Sequence, residues 1–172
     1  MSKVYKPRHV DAGINGIRAI FVYPLIAGLG LSLVWSVNAG AEDDPGNLSA
    51  NPYAPDSTSN PFGAGSPYKP DGINNEFGKY GSPYSDESVN NPHASNPPEL
   101  YDQEGNYRGK LSSNPYDPDS TSNPYGRYGS PSSPDSVNNP YGAGNPYDAG
   151  SPTNPYGEGW EIRPGDELSD ED

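Results

Sequence analysis

The residues of this chain that could do chemistry are few, and nearly all of them are oxygen donors or phenols. Asp117, Asp119, Thr121 and Asn123 place side-chain oxygens at alternate positions, the spacing with which a calcium loop begins. A complete loop would continue with Gly at its sixth position and a bidentate Glu at its twelfth, where this chain has Ser122 and Tyr128. A turn capped by Asx side chains explains the same four residues without a metal. They are therefore weak calcium candidates and the sole metal candidates. Asp117 and Asp119 could also do acid–base work, but only in a pocket able to shift their acidity. There is no Cys, and His93 is the one histidine beyond Ala41. Zinc sites, thiol nucleophiles and imidazole triads thus have no residues to build on. The expectation is no catalytic residues, no cofactor and no enzyme.

Aromatic rings are the other candidate. They recur at Tyr53, Phe62, Tyr68, Phe77 and Tyr84 in the first half, and at Tyr116, Tyr125, Tyr141, Tyr147 and Tyr156 in the second. His93 and Ser132 occupy the two remaining positions of the same series. Rings exposed at fixed spacing could stack on sugars or bind Pro-rich and cell-wall polymers. The competing expectation is that they pack on the repeats' own prolines and on one another.

The elements that must carry these residues are repeats. Leu48-Ser-Ala-Asn-Pro-Tyr-Ala-Pro-Asp-Ser-Thr-Ser-Asn-Pro-Phe-Gly63 matches Leu111-Ser-Ser-Asn-Pro-Tyr-Asp-Pro-Asp-Ser-Thr-Ser-Asn-Pro-Tyr-Gly126 at 13 of 16 positions, an offset of 63 that becomes 64 in mid-block. Inside each block, ring positions alternate between spacings of 9 and of 6 or 7, giving a unit of 15–16 residues used three times. Asn-Pro-Tyr-Gly suits a turn with Asn first, Pro with preset φ second and Gly last. Each Pro also turns its predecessor away from helical conformation and removes a sheet donor, so helix is excluded and central strands are disfavoured. Two outcomes stay open: an extended, disordered chain of turns, or a compact coil held by stacked Tyr rings.

Between the blocks, Tyr101 and Tyr107 flank Asp102-Gln-Glu-Gly105, and Tyr107, Gly109 and Leu111 alternate with Arg108 and Lys110. That pattern predicts a short β-hairpin over 99–111, with Trp160-Glu-Ile162 as a third strand. The string Tyr-Asp-x-x-Gly-x-Tyr-x-Gly-x-Leu, followed by Asn-Pro-Tyr-Asp-Pro-Asp-Ser and iterated Asn-Pro-Tyr-Gly, is similar to a repeat region of uncharacterised bacterial proteins, often exported ones. The resemblance covers roughly Leu48 to Ile162 and departs at Asn75-Glu-Phe-Gly78 and Asn91-Pro-His-Ala94, a degenerate stretch of the first block. It implies boundaries and an exported setting, and adds no chemistry.

Export is also legible in the residues themselves. Lys3, Lys6, Arg8 and Arg18 precede an uncharged, largely apolar run over 19–37, and small residues follow at Ala39 and Ala41 before Glu42-Asp43-Asp44. This is the order of a secretory signal, with cleavage after Ala41 or after Ala39. The alternative is an N-terminal membrane anchor, since 19 residues approach the ~20 that span a bilayer. Either way the repeats lie outside, secreted or periplasmic.

Beyond Ala41 there are 22 acids against 6 bases, a net charge of −16, which disfavours nucleic acid and anionic membrane surfaces as partners. A cell-envelope polymer or protein remains as partner, with the membrane touched through the N-terminal segment alone. Gly and Pro are 43 of 172 residues, and 42–172 holds eight aliphatic side chains larger than Ala. Against about 1–2 kcal/mol of backbone entropy per ordered residue, that is no conventional core.

The expected architecture is mostly irregular coil: a turn-rich Pro-Tyr-Gly repeat region, largely disordered or loosely packed, with an N-terminal apolar signal helix and a short β-hairpin. The segments are a signal peptide or anchor (1–41), an acidic linker (42–47), a first repeat block (48–98), the hairpin (99–111), a second block (111–162) and an acidic tail (163–172). The expected role is an exported structural or interaction protein, its acidic repeats serving as a spacer or a low-affinity multivalent surface. The alternatives are a weak calcium-responsive extracellular module and a membrane-tethered stalk.

Overall fold

The computed structural model describes residues 43–165. The expected signal helix, both cleavage positions and most of the acidic tail lie outside the described residues. Four short strands organise the rest: β1 (Asn47–Leu48), β2 (Glu99–Tyr101), β3 (Tyr107–Lys110) and β4 (Trp160–Arg163). They form one antiparallel sheet in the order β1-β4-β2-β3. The hairpin is present as β2 and β3, and Trp160–Arg163 pairs with the other edge of β2. The fourth strand, β1, is two residues long and carried no pattern in the sequence.

The sheet reflects the duplication. Each half starts with one strand, runs through a long coil, and ends with another. The two closing strands, β2 and β4, pair at the centre with Leu100 opposite Ile162. Each opening strand then pairs with the closing strand of the other half, β1 on β4 and β3 on β2. The equivalence extends to detail, because Asn47 bridges Ser57 and Lys110 bridges Ser120 in the same parallel sense.

No helix occurs among the described residues, and the arms at 49–98 and 111–159 are irregular coil. What differs from expectation is how the coil is held. From Ala54 to Ala94 the amide of every third residue donates to the carbonyl of the previous node, at 2.9–3.4 Å, and the same holds from Asp117 to Gly157. Thirteen such bonds run end to end in each arm. One step per arm is four residues long, at Gly78–Ser82 in the first and Gly126–Ser130 in the second. The displaced step accounts for the offset of 64 in mid-block and its return to 63.

Side chains at the nodes lock one stretch of coil onto the next. Asn60, Asn75, Asn91, Asn123, Asn139 and Asn154 each accept the amide two residues ahead and donate to the carbonyl six residues behind. Ser57, Ser88, Ser120 and Ser151 donate to the carbonyl eight residues behind. With about one such bond at each node, polar satisfaction does what apolar burial does in a larger domain.

The apolar residues are few but concentrated. Ile73, Tyr80, Leu100, Trp160 and Ile162 form a buried cluster, flanked by Leu48, Val89, Leu111, Val137 and Ala143. All seven aliphatics larger than Ala that fall among the described residues therefore meet at the sheet. In β4 the alternation is strict, with Trp160 and Ile162 inward and Glu161 and Arg163 outward. Tyr80 is fully buried, and Tyr128 packs edge-on to Tyr107 at 5.4 Å, with Tyr101 beyond at 5.7 Å.

The β2–β3 turn is pinned by Asp102, 7 % exposed. Its carboxylate accepts the amides of Glu104 and Asn106, the Asn106 side-chain amide and the Arg108 guanidinium. Burial disfavours the charge, but the Asn106 donors and Arg108 more than offset it and hold the carboxyl below the usual carboxylate range. Gly105 completes the turn at φ +81°, a conformation that favours glycine.

Candidate binding surface

The repeat rings do not pack on the array. All ten sequence-predicted rings are exposed, from 83 % at Tyr53 to 97 % at Phe62. This corrects the expectation of a coil held by stacked Tyr, and the reason is geometric. Backbone approaches recur at a separation of eight residues: a Cβ on Gly63 would meet the Pro55 carbonyl at 2.1 Å, on Gly78 that of Pro70 at 2.5 Å, and on Gly142 that of Pro134 at 2.5 Å. The coil thus closes a circuit about every eight residues, and a 15–16-residue unit makes two.

Ile73, Val89 and Val137, which follow the Gly72, Ser88 and Ser136 nodes, point inward toward the core. Ring positions lie five residues before and four after those residues, about half a circuit away. Tyr68 and Phe77 bracket Ile73 in this way, and Tyr84 and His93 bracket Val89. Half a circuit from the core is the outer surface, so the rings face solvent along each arm.

Sequence reasoning missed the two rings that do pack within the arms, Tyr80 and Tyr128. A signal separates the classes: the outward Tyr follow Pro, whereas Tyr80 and Tyr128 precede Gly81 and Gly129 and follow no Pro. Burial pushes the Tyr80 hydroxyl up, with the Lys79 ammonium opposing from 5.1 Å above the ring. Burial also holds the Tyr107 phenol well above its ordinary value, and Glu99 and Asp119 reinforce it.

The chemistry around each outward ring is lopsided. Its backbone amide is taken by the Asn or Ser side chain two residues before, as in Tyr125 to Asn123 Oδ1 at 3.0 Å and Tyr84 to Ser82 Oγ at 3.3 Å. Nine of the ten rings follow Pro, which has no amide hydrogen. At eight of the ten rings, all but Tyr53 and Tyr116, the node after the ring spends its amide on the chain of turns. Backbone donors are largely consumed; ring faces, phenol hydroxyls, which both donate and accept, and carboxylates remain.

Asp117, Asp119, Thr121 and Asn123 are brought into neighbouring turns; the side-chain oxygens of Asp117, Thr121 and Asn123 are engaged in the scaffold, and Asp119 is held through its backbone. Asp117 accepts the Asp119 amide at 2.9 Å and lies 3.5 Å from Lys110 Nζ. Thr121 donates to the Lys110 carbonyl, and Asn123 spans Asp117 and Tyr125. Among the described residues no three His, Cys, Asp or Glu side chains are grouped to hold a metal. A shallow cleft of about 590 Å³ beside the hairpin turn is lined by Asp44, Asp56, Glu104, Glu158, Glu161 and Arg163. No helix of the described residues is long and apolar enough to cross a membrane.

Comparison with protein-family models, with curated proteins and with solved structures finds no match to this chain.

Proposed function

We propose that this chain is an exported, non-catalytic interaction protein whose arms act as a scaffold displaying aromatic rings as a low-affinity, multivalent surface. The observation that carries the reading is the division of labour between positions. Asn, Ser and Gly nodes hold the coil, while ten large rings, each at least 83 % exposed, contribute nothing to it. A bare spacer would need the nodes and not the rings. Phe62 and Phe77 stand in for Tyr at two positions, so the hydroxyl is not present at every ring.

The test is replacement of Tyr116, Tyr125, Tyr141, Tyr147 and Tyr156 by Ser in the full chain. The circular dichroism spectrum and melting behaviour should stay as in the parent, within about 0.5 kcal/mol per exposed site. Co-sedimentation with isolated cell envelopes should fall sharply. Undiminished co-sedimentation of the five-fold variant would refute the reading. Mass spectrometry of exported material should find an N-terminus at Glu42 or Gly40; an intact Met1 in the membrane fraction would favour the tethered form.

A further inference from the structure

The same surface carries a statement about its partner, which rests on the reading above. Every Lys and Arg beyond Ala41 is already engaged. Lys69 pairs with Asp71 at 3.5 Å, Lys79 with Glu87 at 2.7 Å, Arg108 with Asp102 at 2.6 Å, Lys110 with Asp117 at 3.5 Å, Arg127 with Asp135 at 2.7 Å and Arg163 with Glu161 at 2.6 Å. Four of the six also lie over rings, 4.2–5.7 Å from the centroids of Tyr80, Trp160, Tyr128 and Tyr101. The inner rings thus have cations on their faces, and no such contact occurs at the ten outer rings among the described residues.

Carboxylates accompany the outer rings. Glu76 adjoins Phe77, Asp86 lies two residues after Tyr84, Asp119 three after Tyr116, and Asp148 adjoins Tyr147. No Lys or Arg among the described residues pairs with these four. A sugar is neutral and would leave these carboxylates without a countercharge, with the phenol hydroxyls as the main donors at the outer rings. A second copy of the chain would bring the same negative charge, −16 beyond Ala41, against itself. The surface offers π-faces, phenol hydroxyls and unpaired carboxylates, and the faces and the negative charge are complementary to guanidinium and ammonium groups.

We propose that the outer faces of the arms bind a Lys/Arg-rich polypeptide, with its cationic side chains seated on the repeat rings and paired with the carboxylates between them. Each contact is weak, and the repeat spacing lets several act together.

The experiment measures anisotropy of a labelled alternating Arg-Gly peptide of about 20 residues against the full chain, beside a neutral β-glucan oligosaccharide and an oligo-Glu peptide. The Arg peptide should bind, and added salt should weaken it. The five-fold Tyr116, Tyr125, Tyr141, Tyr147 and Tyr156→Leu variant keeps apolar area and loses the ring quadrupole. It should bind about tenfold or more weakly, with its circular dichroism spectrum unchanged. Equal binding by the Leu variant, or binding of oligo-Glu, would overturn the proposal. Binding of the glucan without the Arg peptide would also overturn it and leave the ring surface standing. Envelope retention that survives removal of the rings would end both readings.

Discussion

Asn at the nodes cannot be exchanged for its closest relative. In Asn139 the Oδ1 accepts the Tyr141 amide at 3.0 Å, and the NH2 group donates to the Ser133 carbonyl at 2.8 Å. Asp would keep the first bond and lose the second, facing a carbonyl with a carboxylate at a position 9 % exposed. Asn139→Asp should therefore cost about 1–3 kcal/mol, read as a lower urea midpoint at unchanged slope. The sequence marks Asn as a turn starter, but its grip on a carbonyl six residues behind depends on coiling that local pattern does not show.

Asp102 gives the residue scale its pH dependence. Its carboxyl is held below the ordinary carboxylate range in the folded protein, so its contribution is complete above that range and is lost as pH falls through the lower, folded value. Asp102→Asn should be less stable than the parent at pH 7 by about 2–3 kcal/mol, because Arg108 loses its close carboxylate and keeps the longer 3.6 Å contact with Asp135 and its place over the Trp160 ring. The gap should narrow as pH drops below about 4, where the parent loses the same charge. Thermal melts of both proteins from pH 7 to 2 check this; a gap constant across that range would contradict it.

At the scale of the element, the fourth residue of Asn-Pro-Tyr-Gly is Gly for a reason the turn alone does not supply. None of the repeat glycines at this position has positive φ. What requires Gly is the carbonyl of the preceding circuit, 2.5 Å from a Cβ on Gly142, with the Pro134 Cα at 2.9 Å. Both are backbone atoms and cannot swing away. Gly142→Ala should destabilise by about 1–3 kcal/mol. Gly150→Ala, whose added Cβ would come no closer than 3.7 Å to its neighbours, should stay within about 0.5 kcal/mol of the parent. Chemical denaturation of the pair separates circuit packing from a general preference for Gly in turns.

The element scale also explains what was legible. The hairpin could be read because Tyr107, Gly109 and Leu111 alternate and Asp102-Gln-Glu-Gly105 has turn chemistry. Trp160 and Ile162 could be placed beside it for the same reason. The ring positions could be read from their spacing, but not their direction. A Tyr after Pro and a Tyr after Lys79 or Arg127 look alike until an eight-residue circuit sends one outward and the other toward the core. A period of three carried by Ser, Asn and Gly leaves no apolar stripe, which is the signal that pattern reading depends on.

At the scale of the whole molecule, the duplication makes each half depend on the other. β1 pairs with β4 and β3 with β2, so an isolated half would hold two strands with neither sheet partner in place. The core is shared likewise, with Ile73, Tyr80 and Leu100 from the first half against Trp160 and Ile162 from the second. Such a molecule should unfold as one unit, although its arms are stitched by local bonds. In a Trp35→Phe chain, melts followed by Trp160 fluorescence, reporting the sheet, and by circular dichroism, reporting the arms, should coincide. A fragment ending in the 102–105 turn should show no cooperative transition alone, nor should one beginning there, and mixing the two should restore it. An arm fragment that melts cooperatively by itself would mean that node bonding suffices and that the sheet merely joins two independent coils.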